Sequence, residues 1–500
     1  MFGRHLSLPL LYFAGRALAI TVTDGDDGSI TIDTESTDGL SATVNTLCDF
    51  TSLVYRGDEY QYQDAFSHLA SGIKADDVSY ETIGDYVVVT CRAQNDAVNV
   101  IQYYVFIAGE DQIYLGTYTY EEPTVGELRF VFRLDNVPEA YPYANVSDTR
   151  DGTIIEGKDI YIVGDETRSK HYSNERFIDD QVHCAYRTSP TVHACFVKPI
   201  RAFDAATGGP FGRDINLNLD EYQAVTFYMN HGEEFYDPYR QGFHGPYIFS
   251  FTGSGIPKVS DFDITFFQDL GLEGYIAESG RGYVEGVASG TSDKYPKVLH
   301  WYNDEHQQWV YADDDGNFKS PALVAGEYTQ ALYQGELLAA NFTVVVEAGK
   351  TVTEDIAASN PIITQDRTTV FQIGEYDGEP TGFLNADKMH HMHPSDERMG
   401  DWDTATFVVG ESTDEEFPMI IFKDVNDARV VQFNLDAAID KATTLRIATT
   451  IAISGGRPSI AVNDFTGADP SGPPETPSRY PTKNRLYRFS NFIQRIGKNS

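Results

Sequence analysis

Positive charge is scarce in this chain of 500 residues. Lysine and arginine number 37 against 75 aspartates and glutamates, which gives a formal net charge of −38. Nucleic-acid binding draws its affinity from lysine and arginine side chains that neutralise phosphate, so we expect no nucleic-acid partner. The acidity suits a secreted protein that stays soluble in an acidic medium, where part of the carboxylate charge is titrated away.

Long apolar runs and helical periodicity are also nearly missing. Beyond the N-terminus no apolar run is long enough to cross a bilayer, so we expect no membrane anchor. Aromatic residues reach 13%, and short strand-like runs repeat along the chain. Residues 100–120 are typical, because two β-rich runs flank a GEDQ turn. These features predict an all-β protein, and the length predicts about two to four domains.

Cofactor and metal motifs are missing as well. The chain has no Walker-type phosphate loop, no dinucleotide fingerprint and no zinc-spaced cluster of cysteine and histidine. Residues 24–28 and 313–316 resemble calcium loops but lack the glycine and glutamate that such loops need, which favours hairpin turns. The MHHMH run at 389–393 is interpreted as a polar loop rather than a transition-metal site. We predict no metal site and no cofactor required for chemistry; calcium is compatible with the sequence but not indicated by it.

Cysteine is rare, with four residues, and the even number fits an oxidising compartment. Cys184 and Cys195 flank a loop of hairpin size that contains a Ser-Pro turn. Cys48 and Cys91 each lie in or beside a strand-like run. Four cysteines allow three connectivities, and we predict the pairs Cys48–Cys91 and Cys184–Cys195.

The first residues have the pattern of a secretory signal. Arg4 and His5 precede an apolar stretch, and residues 17–19 form a small-x-small cleavage site. We therefore expect an extracellular, soluble product. Asn145 and Asn341 begin N-x-Ser/Thr triplets and are candidate glycosylation sites in such a protein.

The stretch at residues 164–181, GDETRSKHYSNERFIDDQ, concentrates positive charge in an acidic chain. It contains Arg168, Lys170, His171 and Arg176 within nine positions. A basic cluster on an anionic protein indicates a local site for an anion. The alternative is an ordinary solvated face of the protein.

Several segments together carry a family resemblance. They are TVGELRFVFRL, GDETRSKHYSNERFIDDQVHC, GGPFGRDIN, YRQGFHGPY, FFQDLGLEGYIAESGRG, HWYND, GEYDGEPTGF, MHPSDERM and ISGGRP. In this order they resemble fungal rhamnogalacturonan endolyases of polysaccharide lyase family 4, from the signal cut to about residue 470. The resemblance implies a large β-sandwich like that of galactose mutarotase, a fibronectin-III-like domain and a jelly roll of the carbohydrate-binding type.

Domain limits follow from this resemblance and from changes in sequence texture. We expect a signal peptide at 1–19, a catalytic β-sandwich at 20–265, a fibronectin-III-like domain at 266–357 and a jelly-roll domain at 369–470. Residues 471–500 depart from the family and carry six bases against few acids, which predicts a disordered tail; a basic tail that grips a wall polymer is the alternative. We expect the third domain to lack its terminal strands, which would leave sheet edges unpaired.

The resemblance also implies the site residues, position by position. Lys170 and His244 match the catalytic pair, and Arg129 matches the arginine that neutralises the substrate carboxylate. Arg457 matches a substrate arginine from the last domain. Tyr239, five residues before His244, is a candidate sugar platform or hydrogen-bond donor.

The chemistry of such a lyase explains these residue types. The enzyme removes the C5 proton of galacturonate and expels the O4-linked sugar, which leaves a 4,5-unsaturated uronate. An arginine suits the carboxylate because its planar fork binds it bidentately and stays charged. The base must be uncharged when substrate arrives, so Lys170 has to lose its proton with the help of burial and of cations such as Arg168, a further candidate substrate-binding residue. The sequence does not divide the acid and base roles between Lys170 and His244.

Two other function classes stay open on the sequence alone. A non-catalytic carbohydrate-binding protein would use the basic residues for docking only, and a truncated relative would neither cut nor bind. The joint presence of Arg129, Lys170 and His244 favours the lyase. We expect a monomer whose partner is the rhamnogalacturonan I polysaccharide.

Overall fold

The computed structural model describes residues 19–124, 126–142, 147–170, 175–179, 181–231, 239–364, 368–375, 377, 380–388, 391–393, 395–398, 405–421, 423, 426–435, 443–447, 458–467 and 494–495. Strands dominate this part of the chain, which confirms the all-β class. Its helices are short, namely α1 (Pro361–Thr364) and the 3-10 turns Ile200–Phe203, Val259–Asp261, Thr265–Asp269, Glu278–Gly280, Ala386–Lys388 and Asp414–Glu416. None of the helices among the described residues is long and apolar enough to cross a membrane.

The first unit runs from β1 to β20. Its first twelve strands are β1 (Thr21–Asp24), β2 (Ile30–Asp33), β3 (Ser41–Val44), β4 (Phe50–Tyr55), β5 (Asp58–Glu59), β6 (His68–Leu69), β7 (Asp77–Ile83), β8 (Tyr86–Gln94), β9 (Asn99–Ile107), β10 (Gln112–Thr119), β11 (Glu127–Leu134) and β12 (Glu139–Tyr141). Its last eight are β13 (Thr153–Glu156), β14 (Ile160–Val163), β15 (Glu166–Ser169), β16 (Val182–Thr188), β17 (Thr191–Val197), β18 (Leu217–Leu219), β19 (Gln223–His231) and β20 (Gly242–Thr252).

Two sheets of this unit face each other across one core. An eight-stranded sheet has the order β12-β16-β17-β20-β10-β9-β8-β7, and a four-stranded sheet has the order β18-β19-β11-β6. Aromatic side chains from both sheets fill the space between them; Phe132 of β11 stacks on Phe249 of β20 at 3.6 Å between ring centroids. Burying each such side chain contributes about 1.5–3 kcal/mol, so this core is a main source of the unit's stability.

Two smaller sheets complete the unit. The order β1-β2-β3-β4-β5 is a meander that closes one side of the core, and β13-β14-β15 is a three-stranded sheet beside β18. The outer face of the eight-stranded sheet is covered by the 3-10 turn that carries Phe266 and Phe267. Central strands such as β9 are therefore buried on both faces, and their sequence reads as a nearly continuous apolar run.

The local predictions for hairpins and disulfides are confirmed. The strands β9 and β10 flank the GEDQ turn, where Gly109 adopts φ +80°. In the β16–β17 hairpin Cys184 lies directly opposite Cys195 and is bonded to it. The second bridge joins Cys48 to Cys91 on β8.

The second unit is a smaller sandwich with its own core around Trp301. Its strands are β21 (Arg281–Ser289), β22 (Lys297–Tyr302), β23 (Gln307–Tyr311), β24 (Asn317–Lys319), β25 (Leu323–Val324), β26 (Gly326–Gln334), β27 (Leu337–Val346), β28 (Thr351–Thr353) and β29 (Ile356–Ala357). One sheet has the order β23-β22-β26-β27, and the other is built around β21, which pairs with β24, β25, β28 and β29.

The third unit is described only in part. Its strands pair as β30 (Phe407–Val408) with β31 (Val431–Gln432), β32 (Thr444–Leu445) with β35 (Gln494–Arg495), and β33 (Ala461–Val462) with β34 (Phe465–Thr466). The predicted signal peptide and nearly all of the predicted tail lie outside the described residues, so both stay predictions.

Candidate active site

The four-stranded sheet turns one face to the core and lines the other with polar residues. Along β11 Phe130 and Phe132 pack into the core, so the two-residue period of a strand places Arg129 and Arg133 on the opposite face. Tyr228, from the adjacent strand β19, pairs with Arg129 in the ladder. This arginine-bearing face carries the first of the predicted site residues, Arg129.

Arg129 is held in place by two side chains on this face. Its Nη1 donates to the Tyr228 hydroxyl at 2.6 Å and to Glu127 Oε2 at 2.9 Å. Its guanidinium also lies 5.4 Å from the Tyr228 ring centroid. Burial opposes the charge, but Tyr228 and Glu127 outweigh it and keep the pKa of Arg129 above its ordinary value. With 29% of its side chain exposed, Arg129 is a fixed cation that a ligand can reach.

Arg133 is a second cation on the same face that the sequence prediction missed. Its Nη1 donates to the Phe66 carbonyl and lies 3.0 Å from His68 Nε2, and its guanidinium covers the Tyr222 ring at 5.8 Å. The signal was present in ELRFVFRL, because two residues four apart on a strand share a face. On a strand they lie roughly 13 Å apart.

Lys170 follows directly after β15 in the three-stranded sheet. Its backbone N–H donates to the Asp159 carbonyl at 3.0 Å, and its Nζ lies 3.9 Å from Asp159 Oδ1. The Nζ also lies 5.7 Å from the Tyr161 ring centroid. Burial, followed by Asp220 and Asp159, raises the pKa of Tyr161. Lys170 therefore lies between the ring of Tyr161 and the carboxylate of Asp159.

Arg168 lies two residues before Lys170 on β15. Its Nη1 donates to the Asp148 carbonyl at 2.6 Å, and its Nη2 lies 3.5 Å from Glu166 Oε2. These contacts hold the guanidinium between the Asp148 carbonyl and the Glu166 carboxylate. Arg168 therefore makes contacts within the protein, and its role in binding substrate stays a prediction.

His244 lies on β20, a strand of the eight-stranded sheet, and is fully buried. Its Nε2 lies 3.3 Å from Thr119 Oγ1. Burial lowers the pKa of His244 to about 3, and the nearby charges of Arg240 and His306 act in the same direction, so the imidazole is neutral at ordinary pH. Gly245 follows at φ +134°, where a Cβ would come within 3.0 Å of the Leu115 carbonyl oxygen, and only glycine lets the backbone approach so closely.

Tyr239 lies beside His244. Burial is the main reason why the pKa of its hydroxyl is raised, and Asn230 and Thr119 are the polar neighbours of that hydroxyl. Thr119 is also the neighbour of His244, so the structure brings these two predicted residues together. Asn230 is opposite Leu128 in the ladder, one residue from Arg129, so Asn230 lies at the Arg129 end of β11.

Some predicted residues lie outside the described part of the chain, namely Arg457 and Asn145. Asn341 lies on β27 and is exposed. Among the described residues no group of three or more histidines, cysteines, aspartates or glutamates is arranged to hold a metal ion. His391 is 3.2 Å from Glu166 instead, at a contact between the 391–398 segment and β15.

The fold is that of an all-β sandwich protein that carries a fixed, partly exposed arginine on one polar sheet face. Residues 21–274 match the description "Rhamnogalacturonan lyase B, N-terminal", 280–354 match "Polysaccharide lyase family 4, domain II" and 369–492 match "Polysaccharide lyase family 4, domain III". The chain belongs to polysaccharide lyase family 4, the rhamnogalacturonan lyases, as its motifs predict.

Curated relatives agree along nearly the whole chain. It is 44% identical over 476 residues to rhamnogalacturonate lyase A of Aspergillus niger, covering 93% of each chain. It is 43% identical over 482 residues to rhamnogalacturonate lyase A of Emericella nidulans, covering 96% of this chain and 89% of that one. The Aspergillus aculeatus rhamnogalacturonate lyase A is 44% identical over 456 residues, or 90% of this chain and 84% of that one. A solved structure titled "The Bacillus anthracis TIE protein" aligns over 59% of this chain and 41% of that one at a TM-score of 0.14 and 10% identity, which is too low to inform the fold.

Proposed function

We propose that this protein is a secreted lyase that cleaves the rhamnogalacturonan I backbone by β-elimination at galacturonate. Family membership supports the substrate and the reaction class. The single observation on this chain that carries the proposal is the pair Arg129 and Arg133 on one polar sheet face, with Arg129 fixed by Tyr228 and Glu127. Two disulfides and the exposed Asn341 sequon are consistent with an extracellular protein, and we propose that it acts as a monomer.

The arginines supply the charge that the elimination needs. Removing the C5 proton of a uronate turns a carboxylate into a dianion-like enolate, whose negative charge is greater than that of the substrate. A fixed guanidinium stabilises this transition state more than the ground state. Arg129 is already oriented by Tyr228 and Glu127, so it loses little freedom when it binds.

Lys170 is our choice for the base that takes the C5 proton. The Tyr161 ring and the Asp159 carboxylate are neighbours of its Nζ, and they hold the lysine side chain against the three-stranded sheet. The C5–H electrons then form the C4–C5 double bond, and the C4–O4 bond breaks with its electrons on the leaving oxygen. That oxygen needs a proton.

His244 is our choice for the residue that delivers or relays the proton to O4. A neutral imidazole has one nitrogen that donates and one that accepts, so it can pass a proton on without holding a charge. Its neutrality also means that it adds no second cation to compete with Arg129 for the carboxylate. Tyr239 and Thr119 lie beside it and are suited to hydrogen-bond a sugar hydroxyl.

The test is Lys170→Ala, assayed by the ultraviolet absorbance of the unsaturated uronate on rhamnogalacturonan I. We expect product formation to disappear while polymer binding weakens only modestly. Lys158→Ala is the matched control, since Lys158 is exposed on the hairpin between β13 and β14 and should keep full activity. Unchanged turnover in Lys170→Ala would rule out this base.

Two further outcomes separate the rival functions. Homogalacturonan should yield no product, and cleavage of both polymers would contradict the substrate assignment. Polymer affinity without any absorbance in the wild-type protein would support a non-catalytic carbohydrate-binding role. The domain limits 20–265, 266–357 and 369–470, the site role of Arg457 and the glycans at Asn145 and Asn341 are part of the same proposal.

A further inference from the structure

The pairing of β11 with β19 is irregular next to Arg129. Leu128 pairs with Asn230, but the next residue of β11, Arg129, pairs with Tyr228. Met229 of β19 is therefore an extra residue in the ladder, which makes this point a β-bulge. A bulge changes the alternation of side chains along its strand, and such bulges often re-aim a side chain next to an active site.

The bulge brings Tyr228 and His231 to the same face of β19. On a regular strand, residues three apart point to opposite faces. Here Tyr228 pairs with Arg129 and His231 pairs with Glu127, and these two partners are only two residues apart on β11. The rings of Tyr228 and His231 are stacked, with 5.7 Å between their centroids and 16° between their planes. The Arg129–Glu127 ion pair therefore lies beside a stack of two rings on the adjacent strand.

His231 has polar contacts at both ring nitrogens. It is 1% exposed, its Nε2 lies 3.3 Å from Asp214 Oδ2, and its Nδ1 lies 2.8 Å from the Thr207 hydroxyl oxygen. The backbone N–H of His231 donates to the same hydroxyl at 3.2 Å. Polar contacts in a buried site are stronger than in water and rigidify the side chains that they join. The imidazole is therefore fixed in one orientation against the Tyr228 ring.

Asp214 is fixed by the loop that carries it. It is 5% exposed, and its Oδ1 accepts from the Ile215 N–H at 2.6 Å while its Oδ2 faces His231. The same loop binds the basic stretch at 164–181, because the Phe177 N–H donates to the Gly212 carbonyl at 2.9 Å. The Phe177 ring also lies 5.3 Å from the His231 ring. The contacts thus run from Asp214 through His231 to the ring that holds the arginine.

We propose that Asp214 and His231 are positioning residues that orient Arg129 through Tyr228. This inference rests on the proposed role of Arg129 in the reaction and deepens it. Among the described residues, both side-chain hydrogen bonds of Arg129 use Nη1, so the edge formed by Nε and Nη2 is available to bind a carboxylate bidentately. The direction of that edge depends on where the Tyr228 hydroxyl lies, and the stacked imidazole fixes the Tyr228 ring.

The experiment measures kcat and KM per folded molecule of the full chain on rhamnogalacturonan I. His231→Phe keeps a ring against Tyr228 but loses the contact with Asp214, and Asp214→Asn removes the charge while it keeps the shape. Arg129 stabilises the enolate more than the substrate carboxylate, so its misplacement should appear mainly in kcat. We expect kcat to fall by about 10-fold or more in both variants with KM within about threefold. Wild-type kcat in both would overturn the proposal.

His193→Phe is the matched control. His193 is also buried and also stacks on a tyrosine, Tyr186, at 5.0 Å between centroids, but this pair lies on β16 and β17 of the eight-stranded sheet. The same substitution there should leave kcat at the wild-type value. An equal loss of kcat in His193→Phe would show that any buried histidine of the unit has this effect, and it would overturn the specific role of His231.

A double-mutant cycle separates positioning from a general loss of stability. Tyr228→Phe keeps the stacked ring but removes the hydroxyl that binds Arg129. If His231 acts through that hydroxyl, Tyr228→Phe combined with His231→Phe should have the same kcat as Tyr228→Phe alone. A double variant in which the two single effects multiply would overturn the route through Tyr228.

A second readout does not depend on activity. In protein that contains isotope-labelled arginine, the Arg129 Nε–H signal in nuclear magnetic resonance spectra is assigned by its loss in Arg129→Lys. This signal should shift in His231→Phe and in Asp214→Asn but not in His193→Phe. If the wild-type protein forms no unsaturated product, the proposed function fails while this measurement still tests the positioning. An Arg129 signal that stays in place in both variants would overturn it, and Asp214→Asn alone suffices if His231→Phe does not fold.

Discussion

At the scale of single residues, the site depends on how each charge is stabilised. Arg129 keeps its charge through Tyr228 and Glu127, whereas His244 loses its charge because it is buried next to Arg240 and His306. The chain therefore holds a permanent cation and a neutral imidazole. Elimination from an anionic sugar needs this combination, with one group for the carboxylate and one for the proton.

The burial of His244 predicts a pH dependence of stability. Its pKa is about 3 when folded against an unperturbed 6.5, so the unfolded chain binds the proton more tightly. Stability is then complete above about pH 6.5 and falls as the pH drops toward 3, with a loss of about 2 kcal/mol at pH 5. Thermal melts from pH 7 to 4 should fall less steeply for His244→Gln than for the wild type. Parallel curves would contradict the buried, neutral state.

The sequence predicted part of this site and could not predict the rest. Arg129, Lys170 and His244 lie in recognisable motifs, whereas Arg133 was missed although its spacing from Arg129 in ELRFVFRL places both on one face of a strand. The contact of Arg240 with the second unit carried no comparable signal. It joins Arg240 to the Asn303 carbonyl, more than sixty residues away in the chain, and no local pattern encodes such a contact.

At the scale of elements, β15 is held on both sides. On one side it pairs with β14, and on the other the Thr167 N–H donates to the His391 carbonyl at 3.0 Å. The Thr167 hydroxyl also donates to Asp396, which is 4% exposed and binds Arg398 at 2.6 Å. Described residues between 391 and 398 thus contact the last strand of the three-stranded sheet, which ends one residue before Lys170. The β9–β10 hairpin could be predicted from the sequence because its two strands are adjacent in the chain. The contact of Thr167 with His391 and Asp396 joins residues more than two hundred positions apart, and the sequence did not predict it.

This contact predicts the effect of Asp396→Ala. Arg398, followed by Thr167, holds the pKa of Asp396 well below its usual range, so the carboxylate is charged and paired at working pH. Its removal leaves the buried Thr167 hydroxyl without its acceptor, which should cost about 1–3 kcal/mol and lower kcat through Lys170. Differential scanning calorimetry and the uronate assay measure the two effects. Asp387→Ala, at an exposed carboxylate of the same unit, should change neither.

At the scale of the whole molecule, a net charge of −38 repels the polyanion on which we propose that the enzyme acts. The screening length falls from about 30 Å at 0.01 M salt to about 8 Å at 0.15 M. We therefore expect kcat/KM on the polymer to rise between these salt concentrations, while kcat at saturating substrate stays constant because binding is then complete. Initial rates in a sodium chloride series provide the measurement. A steady fall of kcat/KM from the lowest salt would mean that the local arginines outweigh the overall charge.

The shared core of the first two units has a consequence for dissecting this protein. Trp309 packs on Phe203 at 5.2 Å and Tyr333 packs on Phe211 at 5.1 Å between ring centroids, so aromatic side chains of the second unit complete the interior of the first. A fragment ending near residue 275 would expose the aromatic side chains of the first unit that contact the second unit, and it should aggregate. If one of the two sandwiches is fused to a different protein, the aromatic residues of this contact have to be transferred with it.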